Sequence, residues 1–328
     1  MNLLVTGGAG FIGSHFVRSV LAGRLWGLTD ASITVLDKLT YAGSFANLGA
    51  VAESERLSFV PGDVCDAAVV DGALRGRDAI VHFAAESDTG RSLSGAAACA
   101  QTNVAGTQVL LDAAVRHGTA RFVQVSTGRV YGPVQSGALG EDAPLNPTSP
   151  YAASKAGADL AALACHRTHG LPVMVTRASD TYGPRQHPEK TIPRTLTHLL
   201  AGRAVPLAGD GERVRDWLHV HDHCQAVALV LLSGRAGEVY HVAGSAELSD
   251  RDLTELLLAG CGADWDRVAP GGDGSGQDRR HALDDDKIRR ELGWRPGVEF
   301  DSGLADTIRW YRDNLEWWLP RLVGSGQG

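Results

Sequence analysis

The stretch Leu3-Leu4-Val5-Thr6-Gly7-Gly8-Ala9-Gly10-Phe11-Ile12-Gly13 decides the fold. A short apolar run leads into glycines three residues apart, and helical spacing begins behind them. Glycine at 7, 10 and 13 permits a tight turn, lets the backbone approach a pyrophosphate and packs helix on strand. The diphosphate then meets the positive end of the helix. A glycine triplet alone can be no more than a turn. Here Asp37 closes the second β-rich run at the spacing of a ribose-binding acid, which repels a 2′-phosphate and favours NAD over NADP. Lys38 beside it pulls the other way. Gly62-Asp63-Val64 closes the third run, where it can bond the adenine. The expected NAD contacts are therefore Gly7, Gly10, Phe11, Ile12, Gly13, Asp37, Lys38, Asp63 and Val64.

Working outward, β-rich runs at 3–6, 33–36, 57–60, 79–83, 122–125 and 173–176 alternate with helical stretches such as 12–21 and 104–117. This rhythm predicts an α/β chain with a Rossmann-type doubly wound parallel sheet. After about residue 179 the rhythm loosens, and a smaller C-terminal α/β lobe that binds substrate is expected. The expected division is an NAD-binding domain over 1–178, with parts of 215–245 returning to it, and a lobe over most of 179–328. Within the lobe, 248–259 reads as a helix capped by Ser249, 271–277 as a mobile loop, 301–310 as a last helix and 324–328 as a frayed tail.

A chain of 328 residues buries a large core, and a net charge of −7 argues against a nucleic-acid partner. Five scattered cysteines without CxxC spacing suggest neither disulfides nor zinc. No apolar run reaches membrane-spanning length, and Met1 leads straight into the first strand, leaving no room for a signal peptide. A cytoplasmic protein without a membrane partner is expected.

Tyr151 and Lys155 stand one helical turn apart. Lys155 can hold the nicotinamide ribose and lower the phenol pKa, making Tyr151 a usable base. Thr127, at the end of the preceding strand, can orient the same sugar hydroxyl. Without the nucleotide motif, these would read as an ordinary surface tyrosine and lysine.

These residues, with Asp37-Lys38-Leu39-Thr40-Tyr41-Ala42-Gly43, Ala84-Ala85-Glu86-Ser87, Thr102-Asn103, Tyr182-Gly183-Pro184, Pro188-Glu189-Lys190, Arg215-Asp216-Trp217, Asp278-Arg279-Arg280 and 291–296, resemble the extended short-chain dehydrogenase/reductases. Within them the chain is most similar to the dTDP-glucose 4,6-dehydratases, over nearly its whole length. The resemblance implies an NDP-hexose substrate, with Ala84 and Ala85 at the cofactor and Ser87 at the substrate. It implies Lys190 and Arg215 near the diphosphate and Arg279 near the nucleotide end. It also implies deoxysugar formation in actinobacterial secondary metabolism, and a homodimer through a four-helix bundle of 104–117 and the helix beginning at Tyr151. Val104, Val109, Leu110 and Ala113 can equally be buried within one subunit.

Thr127-Gly128-Arg129 departs from the Thr-Asp-Glu of those dehydratases. Their Glu removes the C5 proton and their Asp protonates the departing C6 hydroxyl; Gly128 and Arg129 can do neither. Asp88-Thr89-Gly90 and Asp180-Thr181 also depart, and a carboxylate at 180 would repel a diphosphate unless turned away or facing a repositioned substrate. The expected function is therefore a dTDP- or UDP-hexose 4-epimerase, needing only Thr127, Tyr151, Lys155 and NAD. Arg129 and Arg185 can pair with a C6 carboxylate, which would make the substrate a hexuronate, although Arg185 also reads as a solvated loop arginine. The alternatives are a 4,6-dehydratase with substitute acid and base, a 4-ketoreductase, or a nucleotide-sugar-binding pseudoenzyme. His219, His221 and His223 invite a metal, but the related enzymes have none here, and no metal is expected. Trp310, Trp317 and Trp318 are expected to pack rather than to meet sugar.

Overall fold

The computed structural model describes residues 1–271 and 278–324. Twelve strands are present among them: β1 Asn2–Thr6, β2 Ser32–Asp37, β3 Leu57–Pro61, β4 Ala79–His82, β5 Arg121–Thr127, β6 Val173–Ala178, β7 Asp180–Tyr182, β8 Val205–Leu207, β9 Val214–His219, β10 Val239–Val242, β11 Ala246–Ser249 and β12 Val268–Pro270. Seven of them form one wholly parallel sheet in the order β10-β6-β5-β4-β1-β2-β3. The order reverses direction beside β1, which opens the crevice in which doubly wound sheets bind ligands. β1, β4 and β6 are buried almost throughout, as strands covered by helices on both faces must be.

Two apolar layers flank the sheet. Phe16, Val17 and Val20 of the helix Phe11–Leu21 pack with Val227 and Leu231 of Val220–Ser233 on one face; Leu110, Leu111 and Ala162 pack on the other. Leu110 and Ala113 are thus fully buried within the subunit. The remaining strands make a three-stranded sheet, β11-β9-β7, and a pair, β12-β8. With the helices Thr191–Leu200, Asp250–Cys261 and Phe300–Asp313 they enclose a separate core around Tyr182, Trp217, Tyr311 and Trp318.

Local differences from expectation have physical reasons. The helix read at 248–259 begins at Asp250, because Leu248 and Ser249 pair as strand with β9. Ser249 caps it in a reciprocal box with Asp252. The stretch 104–117 opens as a π-turn over Ala100–Ala105 before the α-helix Gly106–His117. A further helix, Leu315–Gly324, follows Phe300–Asp313 and buries Trp318, while Trp317 donates to Asn47 at 3.0 Å. The loop expected at 271–277, apart from Gly271, and the tail at 324–328, apart from Gly324, lie outside the described residues. Among the described residues no helix is long and apolar enough to cross a membrane.

Candidate active site

A cavity of about 600 Å³ runs along the carboxyl ends of β1, β2, β4, β5 and β6 into the second layer. Its cofactor end is built by close backbone approach. Gly7 has φ +68°, and a Cβ there would lie 2.5 Å from the Ala84 nitrogen; a Cβ on Gly13 would lie 2.3 Å from the Gly7 carbonyl oxygen. Only glycine allows the turn, the helix and β4 to converge here. Asp37 is nearly buried and accepts from Ala9 N at 2.9 Å and Leu39 N at 2.8 Å, which ties the acid to the glycine turn. Lys38 Nζ sits among Asp63, Thr102 and Glu86 at 3.3, 3.3 and 3.7 Å. Phe11, Ile12, Val64, Ala84 and Ala85 also line this end. Glycine turn, helix N-terminus and paired acid together fit NAD.

The nicotinamide end is set by one helix. Ser149 accepts from Ala152 N at 3.2 Å and Pro150 opens the first turn, so Pro150–His169 starts with Tyr151 at the cavity wall and Lys155 one turn on. Lys155 Nζ donates to the Val125 carbonyl at 2.7 Å, and burial brings its pKa down to about 8. Burial raises the Tyr151 phenol to about 12, with the Arg129 cation pulling against it. Thr127 caps the turn Gly128–Tyr131 by accepting from Arg129 N, and also lines the cavity. Behind this wall Asp159 bridges Ser126 Oγ and Arg177 Nε, each at 2.9 Å, and locks β5, β6 and the helix together.

The departures at 128, 129 and 180 meet in space. Gly128 lies against Leu283: a Cβ there would fall 2.9 Å from Leu283 Cδ1, so a larger residue at 128 requires the end of that leucine to shift. Arg129 grips Asp180 bidentately, Nη2 to Oδ2 at 2.7 Å and Nε to Oδ1 at 3.2 Å. Arg215 Nε approaches the same Oδ2 at 3.5 Å. Burial would raise the Asp180 pKa, but Arg129 and Arg215 more than offset it and hold the carboxylate ionised. Arg129 is therefore engaged by an acid of its own chain and not held free for a C6 carboxylate.

Other expected residues fall in different places. Lys190 lines the cavity, donating to Ser87 O at 2.8 Å beside Asp88 at 3.6 Å. Arg215 sits deeper, nearly buried, and donates to Asp278 O. Arg185 does not line the cavity; in a left-handed backbone conformation, φ +69°, it stacks over Trp310 at 5.2 Å. Its expected role as a carboxylate reader is corrected on that ground. Arg279 is also away from the lining, exposed beside Asp210 at 3.6 Å. Arg194 and Arg213 do line the far end, and neither was singled out from the sequence. Arg213 is paired with Asp250, 37 residues away, which no local pattern announces. His223, which the sequence offered only as one of three candidate metal ligands, instead lines the cavity with Nδ1 2.9 Å from Thr181 Oγ1. Among the described residues no group of three or more His, Cys, Asp or Glu is arranged to hold a metal.

With this geometry in hand, the model of the family described as GDP-mannose 4,6 dehydratase matches residues 4–307. The chain belongs to this family of NAD-dependent epimerases and dehydratases. It is 54% identical to a dTDP-glucose 4,6-dehydratase of Streptomyces niveus over 98% of this chain and 95% of that one. A dTDP-glucose 4,6-dehydratase of Streptomyces venezuelae, solved with NAD bound, superposes with a TM-score of 0.97 at 56% identity, covering 98% of this chain and 100% of that one. A UDP-glucose 4-epimerase of Thermotoga maritima gives 0.87 at 30%, covering 96% and 100%. The expected 4-epimerase, on a hexose or a hexuronate, is therefore corrected: similarity over the whole chain runs to the dehydratases, and loss of two acid–base residues did not outweigh it.

Beside the site, Asp216 makes a pH-dependent contribution to stability. Its Oδ2 accepts from Ser179 Oγ at 2.5 Å and Gly244 N at 2.8 Å, yet burial raises its pKa to about 6. The native carboxyl holds its proton more tightly than an unfolded one near 3.9, so stability present below about pH 4 is lost as pH rises to about 6, on the order of 3 kcal/mol. Urea unfolding across that window is expected to show Asp216→Asn lacking this component of the wild-type pH dependence, so that the stability difference between the two changes between about pH 4 and pH 6.

Proposed function

We propose that this chain is an NAD-dependent dTDP-glucose 4,6-dehydratase whose acid–base chemistry comes from residues other than 128 and 129. The observation that carries the reading is an ionised carboxylate, Asp180, lining the same cavity as Thr127, Tyr151 and Lys155. Reversible oxidation at C4 needs only the latter three; loss of water across C5 and C6 needs a base as well. The glycine turn, Asp37 and Lys155 would hold NAD, which when bound would supply reversible hydride transfer for the C4 oxidation and the later reduction at C6. Tyr151 takes the C4 hydroxyl proton, Lys155 holds the cofactor ribose, and Thr127 orients the hydroxyl. Arg194, Arg213 and Lys190 supply positive charge at the far end, which supports a diphosphate there. Exposed apolar side chains on two long helices, Val115 and Leu160, support a homodimer through that face.

Incubation with dTDP-glucose and NAD is expected to yield a 4-keto-6-deoxy sugar nucleotide, seen by NMR as a new C6 methyl signal. UDP-glucose in parallel tests the base preference. Recovery of dTDP-glucose without any methyl signal would sink the proposal.

A further inference from the structure

We propose that Asp180 is the general base that removes the C5 proton of the 4-ketosugar, and that its salt bridge to Arg129 aims the carboxylate rather than merely holding the fold. This deepens the dehydratase reading and rests on it for the identity of the sugar.

The carboxylates lining the cavity divide by position. Asp37 and Asp63 belong to the dinucleotide end, bound to the glycine turn and to Lys38. Glu86 faces Lys38, while Asp88 and Glu189 face Lys190. Asp180 stands apart: it opens β7 directly beyond β6, beside Arg129 at the end of β5, and its charge bears on the Tyr151 phenol. Its side chain is 24% exposed into the cavity, so it is reachable, while Arg129 and Arg215 restrict its swing.

The elimination balances on this one group, and the hydride return to C6 that follows needs one further proton at C5, which the Asp180 carboxylate takes up from solvent and delivers. Once C4 is a ketone, the C5–H bond breaks, its proton passes to Asp180 and its electron pair forms the C5–C6 double bond. The C6–O bond breaks with its pair on oxygen, and the protonated carboxyl returns the proton to that oxygen, which leaves as water. Arg129 donates to both carboxylate oxygens, Nη2 to Oδ2 and Nε to Oδ1, and so fixes the plane in which the carboxylate presents its remaining lone pairs. A proton relay through a single carboxyl answers the absence of an acid at Gly128.

The test supplies a finished dTDP-4-keto-6-deoxyhexose in D₂O and follows deuterium entering C5 by NMR, a step that requires no net hydride transfer. Three variants separate a base from a structural pair: Asp180→Asn, Arg129→Gln, and the two together, which removes the Arg129–Asp180 charge pair as a unit. Asp180→Asn and the double variant are expected to lose exchange by roughly 10²-fold or more, while Arg129→Gln stays within about tenfold of wild type. Equal losses in Arg129→Gln and Asp180→Asn, or wild-type exchange in the double variant, would overturn the proposal. Failure of wild type to convert dTDP-glucose, with Asp180-dependent exchange intact, would instead overturn the assigned reaction and leave the base in place.

Discussion

Tyr151→Phe is expected to lower turnover of the nucleotide sugar by roughly 10²- to 10⁴-fold, the usual loss of a positioned base, while the chain stays folded. The substitution removes one oxygen from a side chain in the first turn of Pro150–His169, and its neighbours Ala152 and Ala156 keep their burial. The phenol is raised to about 12 by burial, so the hydroxyl form dominates near neutrality. Its work as a base depends on positive charge, and Arg129 already contributes in the right direction. Turnover should therefore climb with pH in the wild type and lose that dependence in the variant. Product NMR with a parallel thermal melt checks both; Tyr151→Phe turning over within tenfold of wild type would remove Tyr151 from the chemistry and favour a binding protein without catalysis.

The second large effect is expected from Gly13→Ala. The added methyl would lie 2.3 Å from the Gly7 carbonyl oxygen and 2.9 Å from its carbon, both backbone atoms. The helix cannot withdraw, because Phe16 and Val17 are fully buried against the sheet. The turn must open instead, and overpacking of this kind costs about 1–3 kcal/mol, or roughly ten- to a hundredfold in NAD affinity if the strain is relieved at the site. Titration calorimetry with NAD reads the change directly. Gly72→Ala, where no atom lies within 4 Å of the added carbon, is the control expected to bind as wild type.

Much of the site was legible because its parts are local. A strand, three spaced glycines and a helix are consecutive in the chain, and Tyr151 and Lys155 are four residues apart. Six strands of the large sheet lie where β-rich runs were read. The seventh, β10, is four residues long and joins β6 from more than 60 positions away, so its place depends on a pairing that no short window contains.

The acid–base problem shows why local reading fell short. Arg129 looked like a missing acid and then a reader of substrate carboxylate, because its partner Asp180 lies 51 residues on. Asp180 looked like a repulsive charge at a diphosphate, because nothing in its own segment neutralises it. Folded, each answers the other: β5 and β6 run side by side in parallel, with Thr127 opposite Ala178, and this register carries residue 129 to residue 180. The sequence by itself determined the nucleotide fold and the oxidation trio, since short-range sterics and helical spacing suffice for both. Only the tertiary structure decided what surrounds the sugar, because charge pairing across adjacent strands sets which carboxylate is ionised, where it points and which arginine is already engaged.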